Sequence, residues 1–326
     1  MTDTTKSPQD RPLVTFALFA YNQEKYIREA VEGAFSQTYE PLEIILSDDC
    51  SSDRTFAIMQ EMAETFSGKH KVKLRRNSNN MGLTSHVNQI LEISEGEVFV
   101  FAAGDDISET HRVSQLMAVF SGRQDVVSVL SGRTVIESDG RARRIKQGRH
   151  DKGVGAVEYT LDDLWTGCAK TSGATRAIKR SVYNIFGPLD PSCPTEDTPF
   201  FLRSLIVGRV IRISDKLVRY RVHANNLSHP ASIGSMEIDL IINQYVKDLE
   251  LAALENLIEE EEIRKTRRWI QRIRLLREME KIEQSGGLLT LPRAAVGYLT
   301  SPLPAKEKVE RLVGYLVRRY RRSLQK

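Results

Sequence analysis

Along the first hundred residues, short apolar runs alternate with segments whose apolar positions recur every three or four residues. Leu13–Tyr21 is apolar almost throughout and rich in strand formers, which predicts a strand buried on both faces. Glu24–Phe35 carries Ile27, Ala30, Val31 and Ala34 at helical spacing. A second strand is predicted at Leu42–Leu46, ending on the polar run SDDCSSDRT. There Ser52 or Asp53 can cap a helix whose apolar face includes Phe56, Met59, Met62 and Phe66. A third strand at Val72–Leu74, a helix over roughly Thr84–Ile93 and a fourth strand at Val98–Ala103 complete the series. The last strand stops abruptly at Gly104-Asp105-Asp106.

This cadence describes βαβ units and a mainly parallel sheet, whose strands present their carboxyl ends along one edge. Ligands bind at such an edge. The polar clusters lie there: Tyr21-Asn22 after the first strand, Asp48-Asp49 after the second, Asp105-Asp106 after the fourth. From Val126 to about Arg221 the pattern is less regular, with short strands near Val126–Leu130 and Val210–Ile213. From Met236 onward it turns helical and highly charged. The expected organisation is a polar tail at 1–10, one α/β domain at 11–230 and a helical region at 231–326.

Composition changes this picture little. With 40% hydrophobic and 28% charged residues the chain is an ordinary globular one. A net charge of +4 argues against nucleic acid as a partner. Cys50, Cys168 and Cys193 are widely spaced with no CxxC, so neither a zinc site nor a redox dithiol is expected. The polar N-terminus lacks an apolar leader, and no apolar run reaches the ~18 residues that span a bilayer. The expected location is the cytoplasm, with peripheral attachment to the inner face of the membrane as a further expectation. Its source is the stripe Leu312, Val313, Leu316 and Val317 beside Arg318, Arg319, Arg321 and Arg322. Such a basic amphipathic helix suits an anionic membrane surface, an oligomer contact or a face packed on the domain. Ile263–Ile282, with Ile and Leu at helical spacing, is a candidate homodimer seam.

Two adjacent carboxylates such as Asp105-Asp106 repel each other and are costly to desolvate unless a cation neutralises them. A divalent ion holding a diphosphate would do so; the alternative is a pair of loop carboxylates capping the helix expected near Glu109. Asp49 can accept hydrogen bonds from a nucleotide, while Ser52 and Asp53 fit a capping role. Glu196-Asp197 equally suits capping of a helix starting near Thr198. No GxGxxG or GxxxxGK[ST] follows the first strand, which argues against a nicotinamide or P-loop enzyme.

The runs FALFAYNQEKYIREAVEGAFSQTYEPLEIILSDDCSSDRT and NNMGLTSHVNQILEISEGEVFVFAAGDD resemble the family 2 glycosyltransferases. Pro194-Thr195-Glu196-Asp197 and Tyr220-Arg221-Val222-His223 continue the resemblance in order, over about residues 12–230. It implies a GT-A fold: an α/β, Rossmann-like, mainly parallel sheet flanked by helices, here with a C-terminal helical extension. It implies an inverting, metal-dependent transfer from a nucleotide diphosphate-sugar, UDP- or dTDP-linked, to a glycan, lipid-linked or protein acceptor. Cell-surface polysaccharide biosynthesis is the expected setting. Ala20, Tyr21, Asn22, Asp49 and Asp105 are the implied nucleotide contacts, with Tyr21 near the base, Asp49 at its imide and Asp105 at the ribose. Asp106 and His223 are the implied ligands of Mn²⁺ or Mg²⁺. Asp197 is the implied base, with Glu196 beside it. Phe19 and Ala20 depart from the small hydroxylic residues frequent in the family, and Cys50 stands where glycine is usual. Two other readings remain open: a nucleotide-sugar-binding protein without turnover, and a nucleotidyltransferase, against which the missing basic glycine-rich loop counts.

Overall fold

β1 (Val14–Ala20) is the strand around which the first half of the chain is laid out, because it pairs on both edges from Val14 to Phe19. In the computed structural model, which describes residues 11–143 and 155–284 apart from 170, 225, 230, 231, 233 and 234, it lies between two parallel neighbours. These are β2 (Leu42–Asp48) and β4 (Val98–Ala103), with Val14 opposite both Leu42 and Val98. β3 (Lys71–Arg76) extends the sheet beyond β2. Phe16 and Leu18 point to the face covered by α1 (Ile27–Phe35) and α2 (Thr55–Thr65), in a core with Ile27, Val31 and Met59. Ala17 points to the opposite face, where α3 (Leu83–Ile93) lays Ile90 against it. Burial on both faces is why these strands read as continuous apolar runs.

Beyond β4 the sheet changes character. The two-residue strand β5 (Ile107–Ser108) and α4 (Arg112–Gly122) lead into β6 (Val126–Glu137). Then come β7 (Val157–Tyr159), α5 (Leu161–Thr166), a 3₁₀ turn at Gly173–Thr175, β8 (Arg176–Lys179), α6 (Arg180–Phe186), α7 (Asp197–Val207) and β9 (Arg209–Val222). The described strands form one nine-stranded sheet in the order β3-β2-β1-β4-β8-β6-β9-β5, with β7 on β9. β8 is antiparallel to both β4 and β6. β6 and β9 exceed the predicted Val126–Leu130 and Val210–Ile213. Their second halves, paired from Gly132–Lys216 to Glu137–Val222, are interrupted by Arg133 in β6 and by Lys216, Arg219 and Arg221 in β9, which hide the strand pattern.

α8 (Ile238–Leu254) and α9 (Glu260–Gln284) form no separate core. Ile241, Ile242, Tyr245 and Leu249 of α8 and Ile270 of α9 pack with Phe201, Leu202 and Leu205 of α7. Ile263, Trp269 and Ile273, part of the candidate dimer seam, face this same core. The basic stripe from Leu312 onward lies outside the described residues. Among the described residues, no helix is long and apolar enough to cross a membrane.

Arg203 of α7 ties α8 in place. Its Nε and Nη2 donate to Asp248 Oδ2 and Oδ1 at 2.9 and 2.8 Å, and Nη1 donates to the Gly187 carbonyl at 2.7 Å. Both side chains are buried. Removing one partner of such a pair strands a charge, which costs about 3–5 kcal/mol, whereas an apolar pair of similar volume can be neutral. Arg203→Met is therefore expected to lose several kcal/mol in urea unfolding, and adding Asp248→Leu to recover most of it. A loss below about 1 kcal/mol in the single variant would show that α8 is held by its apolar face alone.

Candidate active site

The ends of β1, β2 and β4 and the start of α7 open on one cavity of about 1000 Å³. Its lining includes Asp49, Asp105, Asp106, Glu196 and Asp197. The structure thus brings together carboxylates from separate, distant stretches of the chain.

The two aspartates after β2 have different tasks. Asp48 is fully buried; it accepts from the Ser51 N–H at 2.9 Å and from the Ser51 hydroxyl, and pairs with Arg76 Nε at 3.2 Å. Asp49 reaches the cavity. Its Oδ1 accepts from Asn77 Nδ2 at 2.6 Å and Met81 N–H at 2.9 Å, and its Oδ2 from Gly82 N–H at 3.0 Å. It therefore clamps the 77–82 loop while lining the pocket. Cys50 has φ 62°, so the loop keeps the left-handed turn that a glycine would adopt freely.

After β1, Ala20 and Tyr21 line the cavity, Tyr21 with 47% of its surface exposed. Asn22 does not. Its backbone is left-handed at φ 52°, and its Oδ1 accepts from the Ser52 N–H at 2.8 Å. With its own N–H on Ser51 Oγ at 2.8 Å, it fastens the first strand-end loop to the second. In the structure Asn22 thus acts as a loop clamp.

Asp105 and Asp106 are buried, not exposed loop carboxylates. Asp105 Oδ2 accepts from His223 Nε2 at 2.9 Å and Asn226 Nδ2 at 3.3 Å. His223 stacks on Tyr26 with ring centroids 5.0 Å apart. Its Nε2 is committed to Asp105, so it becomes a metal ligand only by exchanging that bond. Asp106 Oδ1 accepts the Arg221 N–H at 2.8 Å; Oδ2 is buried with no hydrogen-bond partner. Burial first, and Asp105 second, hold the Asp106 carboxyl well above the usual carboxylate range.

Glu196 and Asp197 open α7. The Glu196 side chain makes no capping hydrogen bond, so capping does not explain it. Glu196 Oε1 accepts from Arg176 Nη2 at 3.3 Å, and Arg176 Nη1 donates to the Asp197 carbonyl. Asp197 Oδ1 takes the Thr195 hydroxyl at 2.8 Å. A Cβ at Gly173 would lie 2.6 Å from Glu196 Oε1, so a larger residue in this turn would displace the Glu196 carboxylate. Arg176 escapes the sequence pattern; its one signal is a lone arginine in the short stretch Ala174–Ile178. The opposite wall, Met236, Ile241, Tyr245 and Ile273, also escapes it.

This sheet, parallel through β4 and then mixed, with β8 antiparallel to its neighbours and β6 parallel to β9, an aspartate pair at the β4 end and an acidic start to α7, defines a GT-A fold. The sequence model described as Glycosyl transferase family 2 matches residues 15–185, and the chain belongs to that family; it is a glycosyltransferase. An uncharacterized glycosyltransferase of Haemophilus influenzae is 25% identical over 234 residues, 67% of this chain and 68% of the relative. The putative glycosyltransferase EpsE of Bacillus subtilis is 30% identical over 144 residues, 44% and 51% of the two chains. Among solved structures, S. aureus TarS 1–349 in complex with UDP-GlcNAc has TM-score 0.54 and 18% identity, covering 93% of this chain and 71% of that one. The mannosyltransferase PcManGT of Pyrobaculum calidifontis, in complex with GDP-Man and Mn²⁺, has TM-score 0.54 and 15% identity, covering 97% and 88%. At these identities the likeness is one of fold.

Burial, then Asp197, pushes the Glu196 carboxyl up to about 7 from 4.5. Folding thus favours neutral Glu196: that contribution is full below pH 4.5 and is lost as pH rises through about 7. A tenfold change in an ionisation equilibrium corresponds to about 1.4 kcal/mol. Glu196→Gln, neutral throughout, is expected to gain at least about 1 kcal/mol on the wild type between about pH 5 and pH 8. Unfolding midpoints at both pH values measure this; an equal difference at both would show that Glu196 ionises normally.

Proposed function

We propose that the chain transfers a sugar from a nucleotide diphosphate-sugar to an acceptor hydroxyl in a single inverting displacement. The observation that carries this reading is the convergence of the Asp105-Asp106 pair and Asp197 on one cavity large enough for donor and acceptor groups together. Tyr21 and Ala20 lie along the nucleotide base, Asp49 accepts from its imide, and Asp105 takes the ribose. The imide assignment favours UDP or dTDP as carrier.

The residues suit a divalent ion, Mn²⁺ or Mg²⁺. An unpartnered buried carboxylate oxygen costs about 1–3 kcal/mol, and Asp106 Oδ2 bears that cost beside a second carboxylate. A cation there removes both penalties. Among the described residues no group of three or more His, Cys, Asp or Glu is placed to hold an ion, so an ion held by Asp106 would need further oxygen ligands such as donor phosphates. The ion supplies neutralisation of charge on the departing diphosphate. His223 orients Asp105 and stands next to the ion site. The fold neighbours captured with UDP-GlcNAc, and with GDP-Man and Mn²⁺, support this reading.

Asp197 takes the proton of the acceptor hydroxyl as that oxygen attacks the anomeric carbon. Glu196, its carboxyl pushed up by burial and by Asp197, is occupied by Arg176 Nη2 at 3.3 Å. The acceptor enters along the wall of Met236, Ile241, Tyr245 and Ile273 and is a glycan, a lipid-linked glycan or a protein.

Asp106→Asn keeps the acceptor for the Arg221 N–H but loses the anionic oxygen. It is expected to abolish Mn²⁺-dependent UDP binding in calorimetry while leaving the unfolding midpoint within a few degrees. Unchanged affinity would remove Asp106 from the ion site. Asp197→Asn keeps the Thr195 bond and caps a helix about as well. It should slow transfer about a hundredfold or more with donor affinity retained, the signature of an interaction confined to the transition state. Near-normal turnover would transfer the role of base to another group.

A further inference from the structure

Resting on the transferase reading, we propose that Arg133 is the protein's own seat for the donor diphosphate, a second cation beside the ion on Asp106. The cavity wall carries the carboxylates Asp49, Asp105, Asp106, Glu196 and Asp197, yet among its described lining residues Arg133 is the one Lys or Arg. Such a wall repels a diphosphate except where cations stand. The other arginines of the site cannot serve. Arg112, Arg176 and Arg221 are buried behind the wall, each donating to a main-chain carbonyl there.

Arg133 differs in its exposure and in its uncommitted donors. It is exposed, and its guanidinium lies 4.3 Å from the centroid of the Tyr220 ring, which orients its plane. Its hydrogen bond to the protein is a long one, Nη1 to Ser172 Oγ at 3.4 Å, so most of its N–H donors remain for a ligand. Tyr220 precedes Arg221, whose N–H holds Asp106, while Ser172 precedes Gly173, which abuts Glu196. Arg133 therefore stands between the ion-site carboxylate and the acidic start of α7. The bond broken in transfer runs across that interval.

The backbone is shaped for this placement. The β6–β9 register shifts on both sides of Gly132, the residue before Arg133. A Cβ at Gly132 would lie 2.7 Å from the Ser214 carbonyl oxygen, so only glycine permits the close approach. Bulges next to active sites re-aim a side chain, and this one precedes the cavity's cation.

In the displacement, the acceptor oxygen bonds to the anomeric carbon and its proton passes to Asp197. The bond from that carbon to the diphosphate oxygen breaks, and the electron pair stays on the oxygen. Arg133 takes up that charge by hydrogen bonds that strengthen as it develops.

The test is calorimetry of UDP, dTDP, GDP and the matching monophosphates with Mn²⁺, on wild type, Arg133→Met and Arg133→Lys. Met keeps an apolar stem over Tyr220 without the charge. The Met variant is expected to bind the preferred diphosphate at least tenfold more weakly and the monophosphate within about threefold of wild type. Lys is expected to recover most of the diphosphate preference. The same preference in Met as in wild type, an equal loss for mono- and diphosphate, or Lys no better than Met would each overturn the proposal. Wild type that bound none of the nucleotides would overturn the transferase reading itself.

Discussion

Five carboxylates face one cavity, and the fold tolerates them because buried guanidinium groups stand behind them. Arg112, Arg176 and Arg221 are each 1% exposed or less. Carboxylates this close would otherwise shed charge by protonation, as the raised Asp106 and Glu196 carboxyls already show in part. The arginines do more than neutralise. Arg112 donates to the carbonyls of Phe101 in β4 and Ala174 in the 3₁₀ turn, both at 2.8 Å. Arg176 joins β8 to the α7 start. Arg221 joins β9 to the Asp105 carbonyl at 2.9 Å and to Glu29 of α1 at 2.8 Å. Each guanidinium fixes backbone from elements distant in sequence, so the carboxylates hold their spacing through main-chain carbonyls.

That arrangement depends on the sheet changing direction after β4. The parallel half sends the ends of β1, β2 and β4 to one edge. The antiparallel β8 returns the chain so that Arg176 lies under the same edge from the other side, over the rings of Phe101 and Phe200. Stacking on aromatic faces keeps the charge desolvated, and a desolvated cation acts more strongly on the carboxylates beside it. A chain parallel throughout would bring no such residue there.

The first half of the fold was legible in the sequence because strands buried on both faces leave unbroken apolar runs, and each ends where its chemistry begins. Asp49, Asp105 and Asp106 follow from position alone. The second half was less legible for a physical reason. β8 is four residues long and begins with a buried arginine, while β6 and β9 carry basic residues on an exposed face. Asn22 and His223 show a different limit. Asn22 follows the first strand as read, and His223 came from the resemblance alone; the partners the structure gives them, Ser52 and Asp105, are encoded in no local pattern. Asp53, by contrast, holds the Thr55 N–H at 2.9 Å as a residue of its type before a helix should.

The family match ends at residue 185, before Glu196, Asp197 and the apolar wall formed by Met236, Ile241, Tyr245 and Ile273. The strand-end carboxylates proposed to hold the donor lie inside the matched segment; the groups proposed to receive the acceptor lie outside it. The two halves also differ in how they are built. The donor half rests on strand register and loop hydrogen bonds, which admit few alternatives. The acceptor half rests on apolar packing among α7, α8 and α9, where volume-conserving substitutions cost little. Side chains on that wall can therefore change without disturbing the carboxylates opposite, because Arg176 fastens the α7 start to the sheet and not to α8. Arg203 and Asp248 fix the spacing between α7 and α8, leaving the wall's surface free to vary. On the proposed reading, acceptor choice would be a property of helix-face residues, and donor chemistry a property of the sheet edge.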